Sequence, residues 1–340
     1  MTDDLSRKID YVKFISAIGI VYYHSNIFPA ELQKEQMSAM YLYRVLNAFG
    51  IIGNTIFIAL SAYLFFYNYS EKNARSKRYR RYRSLLIPFF IWNLLGITVY
   101  HDFGRSLKHY VTSFLLARYD GVFWVISLLF VMTLFSQINY KIIKNFPLTV
   151  IAFCVISILY YVNWNGLFRI FGSFEVRIVR DIYYAAVYEL AAATALKYPH
   201  AAGKIYSAKQ KMVVSFLTAI SLFGFWHRIF DMIWIILWPV FVWVSVEKRA
   251  GDRKHFISLR EQSFFILASH LFVIYYLHKI LDFCGITGVS SFMASNVARI
   301  VFGTVTNTIC LLLGIFLQKY CAGFFRLITG RRRAEYGTES

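Results

Sequence analysis

An imidazole, an ammonium and a carboxylate fall along one stripe of the first apolar segment. The segment runs from Arg7 to Ser25 and holds Asp10, Lys13 and His24. Eleven positions from Lys13 to His24 turn a helix through about 1100°, some 20° past three turns, with a climb of roughly 16 Å. Asp10 lies fourteen positions from His24, about 40° short of four turns, and joins the same stripe. An ionisable side chain within a bilayer is costly and marks a functional site by default. Imidazole takes and gives a proton near neutral pH, so the chemistry this stripe could do is proton transfer centred on His24. A hydrogen-bonded histidine of a helix bundle is the plainer alternative.

The elements that must position the stripe are membrane helices. The chain has 340 residues, 58% of them hydrophobic and 16% charged, and its mean hydropathy is +0.50. The apolar residues come in long blocks, which predicts an all-α polytopic membrane bundle. About ten spans are expected, at roughly 9–28, 45–67, 85–100, 121–139, 146–163, 180–197, 212–228, 231–246, 263–281 and 299–325. Residues 1–328 read as one integral-membrane domain and 329–340 as a polar cytoplasmic tail. The N-terminal apolar run is long enough to span and has no small-residue cleavage site after it, so it reads as a span rather than a leader.

A net charge of +19 invites nucleic acid as a partner, but the distribution argues for membrane lipids instead. Basic residues cluster in short loops between apolar runs. With the N-terminus in the cytoplasm, 26 of the 37 Lys and Arg fall on the inner side. That bias predicts an even span count with both termini cytoplasmic. The four cysteines, Cys154, Cys284, Cys310 and Cys321, have no metal-type spacing and read as small buried hydrophobes. No ligand set for a metal is expected.

A second signal lies between the second and third spans. Residues 75–83 read Arg-Ser-Lys-Arg-Tyr-Arg-Arg-Tyr-Arg and lead into Leu85-Leu86-Ile87-Pro88. The run could anchor to anionic headgroups. It could equally clamp a phosphorylated molecule, because guanidinium groups bind phosphate in bidentate fashion. Pro88 fits the first turn of the third span, where its missing donor does no harm.

Further along, His270 in span nine could face the bundle and meet an acceptor, while His278 sits about 80° off that face. Ser61 and Tyr63 could line a cavity or pack small against a helix. Trp124 suits either a site wall or an interfacial belt. Glu189 inside span six is expensive unless paired and is a candidate substrate contact. Glu175, Arg177, Arg180 and Asp181 cluster before that span, where a solvated helix start is the commoner explanation.

Four stretches together resemble the membrane acyltransferase-3 family. They are residues 7–25, Phe57-Ile58-Ala59-Leu60-Ser61-Ala62-Tyr63-Leu64-Phe65, the basic run into Leu85-Leu86-Ile87-Pro88-Phe89-Phe90-Ile91-Trp92-Asn93, and Phe123-Trp124-Val125-Ile126-Ser127-Leu128-Leu129-Phe130. Lys13 and His24 match the family's basic residue, ten positions, then histidine. Arg80 and Arg83 best match its Arg-x-x-Arg pair. Ala62 stands where a glycine is usual, and Val125 where a phenylalanine is usual. No esterase-like domain follows, so the chain is similar to the stand-alone form.

The resemblance implies O-acylation of a sugar hydroxyl on a surface polysaccharide or lipid-linked glycan precursor, in a bacterial cytoplasmic membrane. It implies acyl-CoA, foremost acetyl-CoA, as donor, with its phosphates on Arg80, Arg83, Arg78 and Arg81. His24 would then be the base on the acceptor hydroxyl or would itself carry the acyl group, with Lys13 and Asp10 supporting it. Ser61, Trp124, Glu189 and His270 are the expected substrate contacts. The rival reading is a transporter or flippase of a lipid-linked sugar or anionic lipid, with His24 and Glu189 as a proton relay.

Overall fold

A computed structural model describes residues 3–26, 37–115, 123–164, 173–200, 206–224, 231–246, 259–286 and 292–330. Its elements are all helical: α1 (Asp3–His24), α2 (Met37–Phe66), α3 (Ala74–Val99), α4 (Leu107–Leu115), α5 (Trp124–Leu134), α6 (Ser136–Ile143), α7 (Phe146–Trp164), α8 (Ser173–Lys197), α9 (Ala208–Gly224), α10 (Asp231–Ser245), α11 (Leu259–Phe283), α12 (Phe292–Tyr320) and α13 (Ala322–Thr329). The all-α membrane bundle expected from composition is the fold observed.

Among the described residues, four helices are long and apolar enough to cross a membrane, Ser38–Phe66, Ala74–Val99, Glu261–Phe283 and Ala294–Tyr320, or five if the bent pair α5 and α6 is one span. About ten spans were expected, and the described residues supply four or five that meet the length and hydropathy of a span. The expected span 121–139 is two helices, α5 and α6, bent by 75° where they meet. α7 and α10 contribute shorter apolar stretches, Phe146–Tyr160 and Ile236–Ser245. α1 carries the Asp10–Lys13–His24 stripe and is less apolar for that reason. It lies in the interior all the same, packed by α2, α11 and α12.

The directions of those neighbours place the stripe. α2 runs antiparallel to α1, since Gly53 lies against Ser16 and Ile20 while Gly50 lies against Tyr23. α12 is also antiparallel: Asn307 donates to the Ile18 carbonyl at 3.4 Å, and Thr304 shares a 3.0 Å hydrogen bond with the Tyr22 hydroxyl. α11 runs parallel to α1. Its Glu261 shares a cavity with Lys13, and its His270 meets His24. Polar groups therefore line up on two helices side by side.

α3 corrects two expectations. The basic run is not a loop but the opening turns of the same helix that crosses the membrane. Pro88 is not in a first turn either; it lies well inside α3. A proline there has no N–H for the carbonyl four residues back, which is that of Ser84. Gly330, just past α13, packs so closely on the Ser84 carbonyl that a side chain at 330 would collide with its oxygen and press on the Pro88 ring. The kink-prone site on α3 is thus covered by the end of another helix.

α13 is a second departure. The expected span 299–325 ends at Tyr320, and the chain turns at Cys321 and folds back onto α3 and α11. Phe325 and Ile328 are buried there, and the Trp92 indole donates to the Ile328 carbonyl at 2.9 Å. Residues 331–340 of the expected polar tail lie outside the described residues. Only Cys310 of the four free cysteines is buried; Cys154, Cys284 and Cys321 are exposed. Exposure on a membrane bundle faces lipid as well as water, which suits a small apolar side chain equally well.

Candidate functional site

His24 ends α1, so the last carbonyls of that helix have no partner within it. Arg299 of α12 supplies one. Its Nε donates to the Tyr22 carbonyl at 2.7 Å and its Nη2 to the Tyr23 carbonyl at 2.6 Å. The side chain is 1% exposed, and its Nη1 makes no hydrogen bond. A cation at a helix C-terminus also meets the negative end of the helix dipole. Gly303, one turn along α12, leaves the space that the Tyr22 ring occupies. The turn carrying His24 is thereby fixed from α12.

Across from it, α11 presents His270. The two imidazole centroids are 5.3 Å apart, with the rings tilted by 50°. His270 is fully buried. Its Nδ1 approaches the carbonyls of Ile266 and Leu267 at 3.1 and 2.9 Å. Carbonyls only accept, so Nδ1 carries the hydrogen and Nε2 keeps its lone pair. That Nε2 has no hydrogen-bond partner. A buried acceptor without a donor costs stability, and such groups in a native fold need an explanation, often a functional one. Tyr23 packs edge-on against His24, centroids 4.7 Å apart.

Towards the start of α11, beside the middle of α1, lies a cavity of about 130 Å³. Lys13, Ser61, Arg81, Glu261, Ser263 and Gly330 are among its walls. Lys13 comes from α1, Ser61 from α2, Arg81 from α3, and Glu261 and Ser263 from α11. Glu261, 4% exposed, opens α11, where an acid is favoured by the dipole. Lys77 donates from Nζ to the carbonyls of Phe65 and Tyr67 and so ties the end of α2 to the basic turns of α3. The geometry is a polar column, with a charged cavity beside the middle of α1 and the start of α11, and an imidazole pair at the finish of α1.

The expected site residues divide between this column and other places. His24 and His270 meet, and Lys13, Ser61 and Arg81 meet. Asp10 is half-buried on α1 and, like Lys13, is not without a partner. Of the four arginines, Arg81 lines the cavity, Arg78 is half-buried, and Arg80 and Arg83 are exposed. Trp124 lies under the Arg180 guanidinium, 4.2 Å from ring centroid to carbon, and packs on Tyr184. Arg180 is itself paired with Asp181 at 2.9 Å. The side chains of Glu175 and Arg177 lie outside the described residues. Glu189 lies on α8 with one carboxylate oxygen, Oε2, buried and unpartnered, beside Tyr188, whose hydroxyl is equally unpartnered. It is not among the walls of the Lys13 cavity. His278 is half exposed and 3.7 Å from Asp282.

Three residues of the column were not expected there: Arg299 and Ser263, which open the expected spans 299–325 and 263–281, and Glu261, just before the latter. The signal available was Arg299 within Ala294–Tyr320, an ionisable group in an apolar run.

A fully buried imidazole, His270, and a half-buried one, His24, thus lie beyond a charged cavity in an all-helical membrane bundle. Comparison with protein families names its class: a family model described as an acyltransferase domain matches residues 6–316. The chain belongs to the acyltransferase-3 family and is a multi-pass membrane acyltransferase. Comparisons with curated proteins and with solved structures each found no match.

Proposed function

We propose that the protein moves an acyl group, foremost acetyl, from cytoplasmic acyl-CoA to a sugar hydroxyl of a surface polysaccharide or lipid-linked glycan precursor. The observation that carries this reading is the column itself, from Arg81 and Lys13 to His24 and His270. A cavity of about 130 Å³ is well below the usual size of a pocket for a whole ligand of this bulk. It suits a narrow arm, with the nucleotide phosphates outside on the basic turns of α3. There Arg80, Arg83 and Arg78 would hold phosphate, and Arg81 would do so at the cavity mouth. This reading puts the first residues of α1 and of α3, with the C-terminal tail, on the cytoplasmic side of a bacterial inner membrane.

The chemistry follows from the imidazole pair. In this reading the unpartnered Nε2 of His270, in the ring 5.3 Å from that of His24, would accept an N–H of His24 as the rings close on substrate and so select one His24 tautomer. The other His24 nitrogen then takes the proton of the acceptor hydroxyl. The hydroxyl oxygen attacks the thioester carbonyl, the C–S bond breaks, and the thiolate of coenzyme A leaves and is protonated. The Arg299 charge favours the negative charge that develops on the carbonyl oxygen. An alternative order, in which His24 accepts the acyl group first and passes it on, uses the same groups.

The test is acyl transfer in membranes with and without the protein, using labelled acetyl-CoA and, separately, labelled succinyl-CoA. Label entering the glycan fraction only with the protein and acetyl-CoA supports the reading. Label with neither donor, from folded protein, would overturn it.

A further inference from the structure

A second cavity opens on the opposite face of α2 from the Lys13 cavity. Its volume is about 350 Å³. Thr55, Tyr63, Tyr183, Thr194, Tyr206 and Trp243 are among its walls, and the two cavities share no residue. The walls run along α2 from Thr55 to Tyr63 and along α8 from Tyr183 to Thr194. At helical rise those stretches span roughly 12 and 16 Å. The space is therefore long, apolar and parallel to the bundle axis.

A buried cation lies against two of its walls. Lys8 of α1 is 8% exposed. Its ammonium lies 4.5 Å from the Trp243 ring centroid and 5.6 Å from that of Tyr206, two of the cavity walls. No carboxylate pairs with Lys8 among the described residues. Ring faces attract an ammonium, but less than an anion does once water is excluded. A buried ammonium beside two walls of a long apolar slot, with no carboxylate of the described residues on it, calls for a ligand with an anionic head and a hydrocarbon tail.

We propose that this cavity binds an anionic phospholipid of the leaflet at the start of α1, with one acyl chain between α2, α8 and α10 and the phosphate on Lys8. The flexible lysine stem lets the ammonium tilt from the rings towards the headgroup. Neutral lipids lose the charge contact, so the site discriminates by headgroup. The donor arm does not compete, because its cavity lies across α2.

The test is native mass spectrometry of the full-length protein in detergent, with dioleoyl phosphatidylglycerol and dioleoyl phosphatidylcholine added in equal amounts. The expected result is retention of one phosphatidylglycerol several-fold above phosphatidylcholine. Lys8→Gln should lower that retention about tenfold, near the cost of one charge-assisted bond. Ala191→Phe, which places a ring in the slot, should remove retained lipid of both kinds. Equal retention of the two lipids, or phosphatidylglycerol held as well by Lys8→Gln as by the intact protein, overturns the proposal. Should Ala191→Phe fail to fold, Lys8→Gln decides alone.

Discussion

Arg299 reaches from α12 to the Tyr23 carbonyl with an Nη2–O distance of 2.6 Å, one residue before His24. A second bond, Nε to the Tyr22 carbonyl, makes the contact two-pronged. The planar fork of an arginine fits two adjacent carbonyls, and a lysine keeps the charge without the fork. Each charge-assisted bond is worth about 1.5–3 kcal/mol, and the buried carbonyls would be left bare without it.

Arg299→Lys is therefore expected to lower kcat at least tenfold while leaving KM for acyl-CoA near its original value. Arg299→Met should lose more, and should also unfold at a lower temperature in detergent. Steady-state kinetics of the two variants check this. An Arg299→Lys variant with an unchanged kcat would remove Arg299 from the positioning of His24.

His270 has a narrower expected role. His270→Phe keeps the ring volume but removes the Nε2 acceptor. Loss of the selected His24 tautomer is expected to reduce kcat/KM roughly tenfold to a hundredfold, within the range seen for acid–base groups. The pH dependence of kcat/KM should change shape with it. A purely packing role would leave that profile where it was and move only the melting temperature.

The basic turns of α3 should separate by face. Arg81→Ala is expected to raise KM for acyl-CoA about tenfold or more, one lost charge-assisted contact, with little change in kcat. Arg80→Ala and Arg83→Ala, on the exposed side, should have smaller effects that fade as salt is raised. Initial-rate measurements at two ionic strengths read both differences.

The α13 seat can be tested through Trp92. Trp92→Phe keeps a ring in place but strands the Ile328 carbonyl, at an expected cost of about 1–3 kcal/mol. Because Gly330 forms part of the cavity wall, KM for acyl-CoA should rise with the loss of stability. Denaturant titration and kinetics of the same variant measure the two together.

Much of the fold was legible in the sequence because membrane helices announce themselves through long apolar runs. The Lys13–His24 face was legible for a related reason: helical periodicity alone puts the two on one side of α1. Other features depend on partners far along the chain. His270 could be placed on a bundle face, but its meeting with His24 comes from the parallel packing of α11 on α1, which no local pattern encodes. Arg299 drew no reading beyond opening the expected span 299–325, because only the C-terminal turn of α1 gives it a purpose. Pro88 was placed in a first turn because the basic residues before it looked like a loop, whereas the Gly330 contact at the Ser84 carbonyl shows how α3 continues through it. The break between α5 and α6 has no proline or glycine to signal it, since Phe135 stands at the bend.

The most direct test of the central claim is acyl transfer from labelled acetyl-CoA by membranes carrying the intact protein, His24→Ala or His24→Gln at matched protein levels. A base or acyl carrier at His24 is expected to make both variants about 100- to 10,000-fold slower than the intact protein. Both should still bind acyl-CoA, because the Arg81 and Lys13 cavity lies some 16 Å away along α1. Transfer by either variant at the intact rate would contradict the account and leave His24 a structural residue of the bundle.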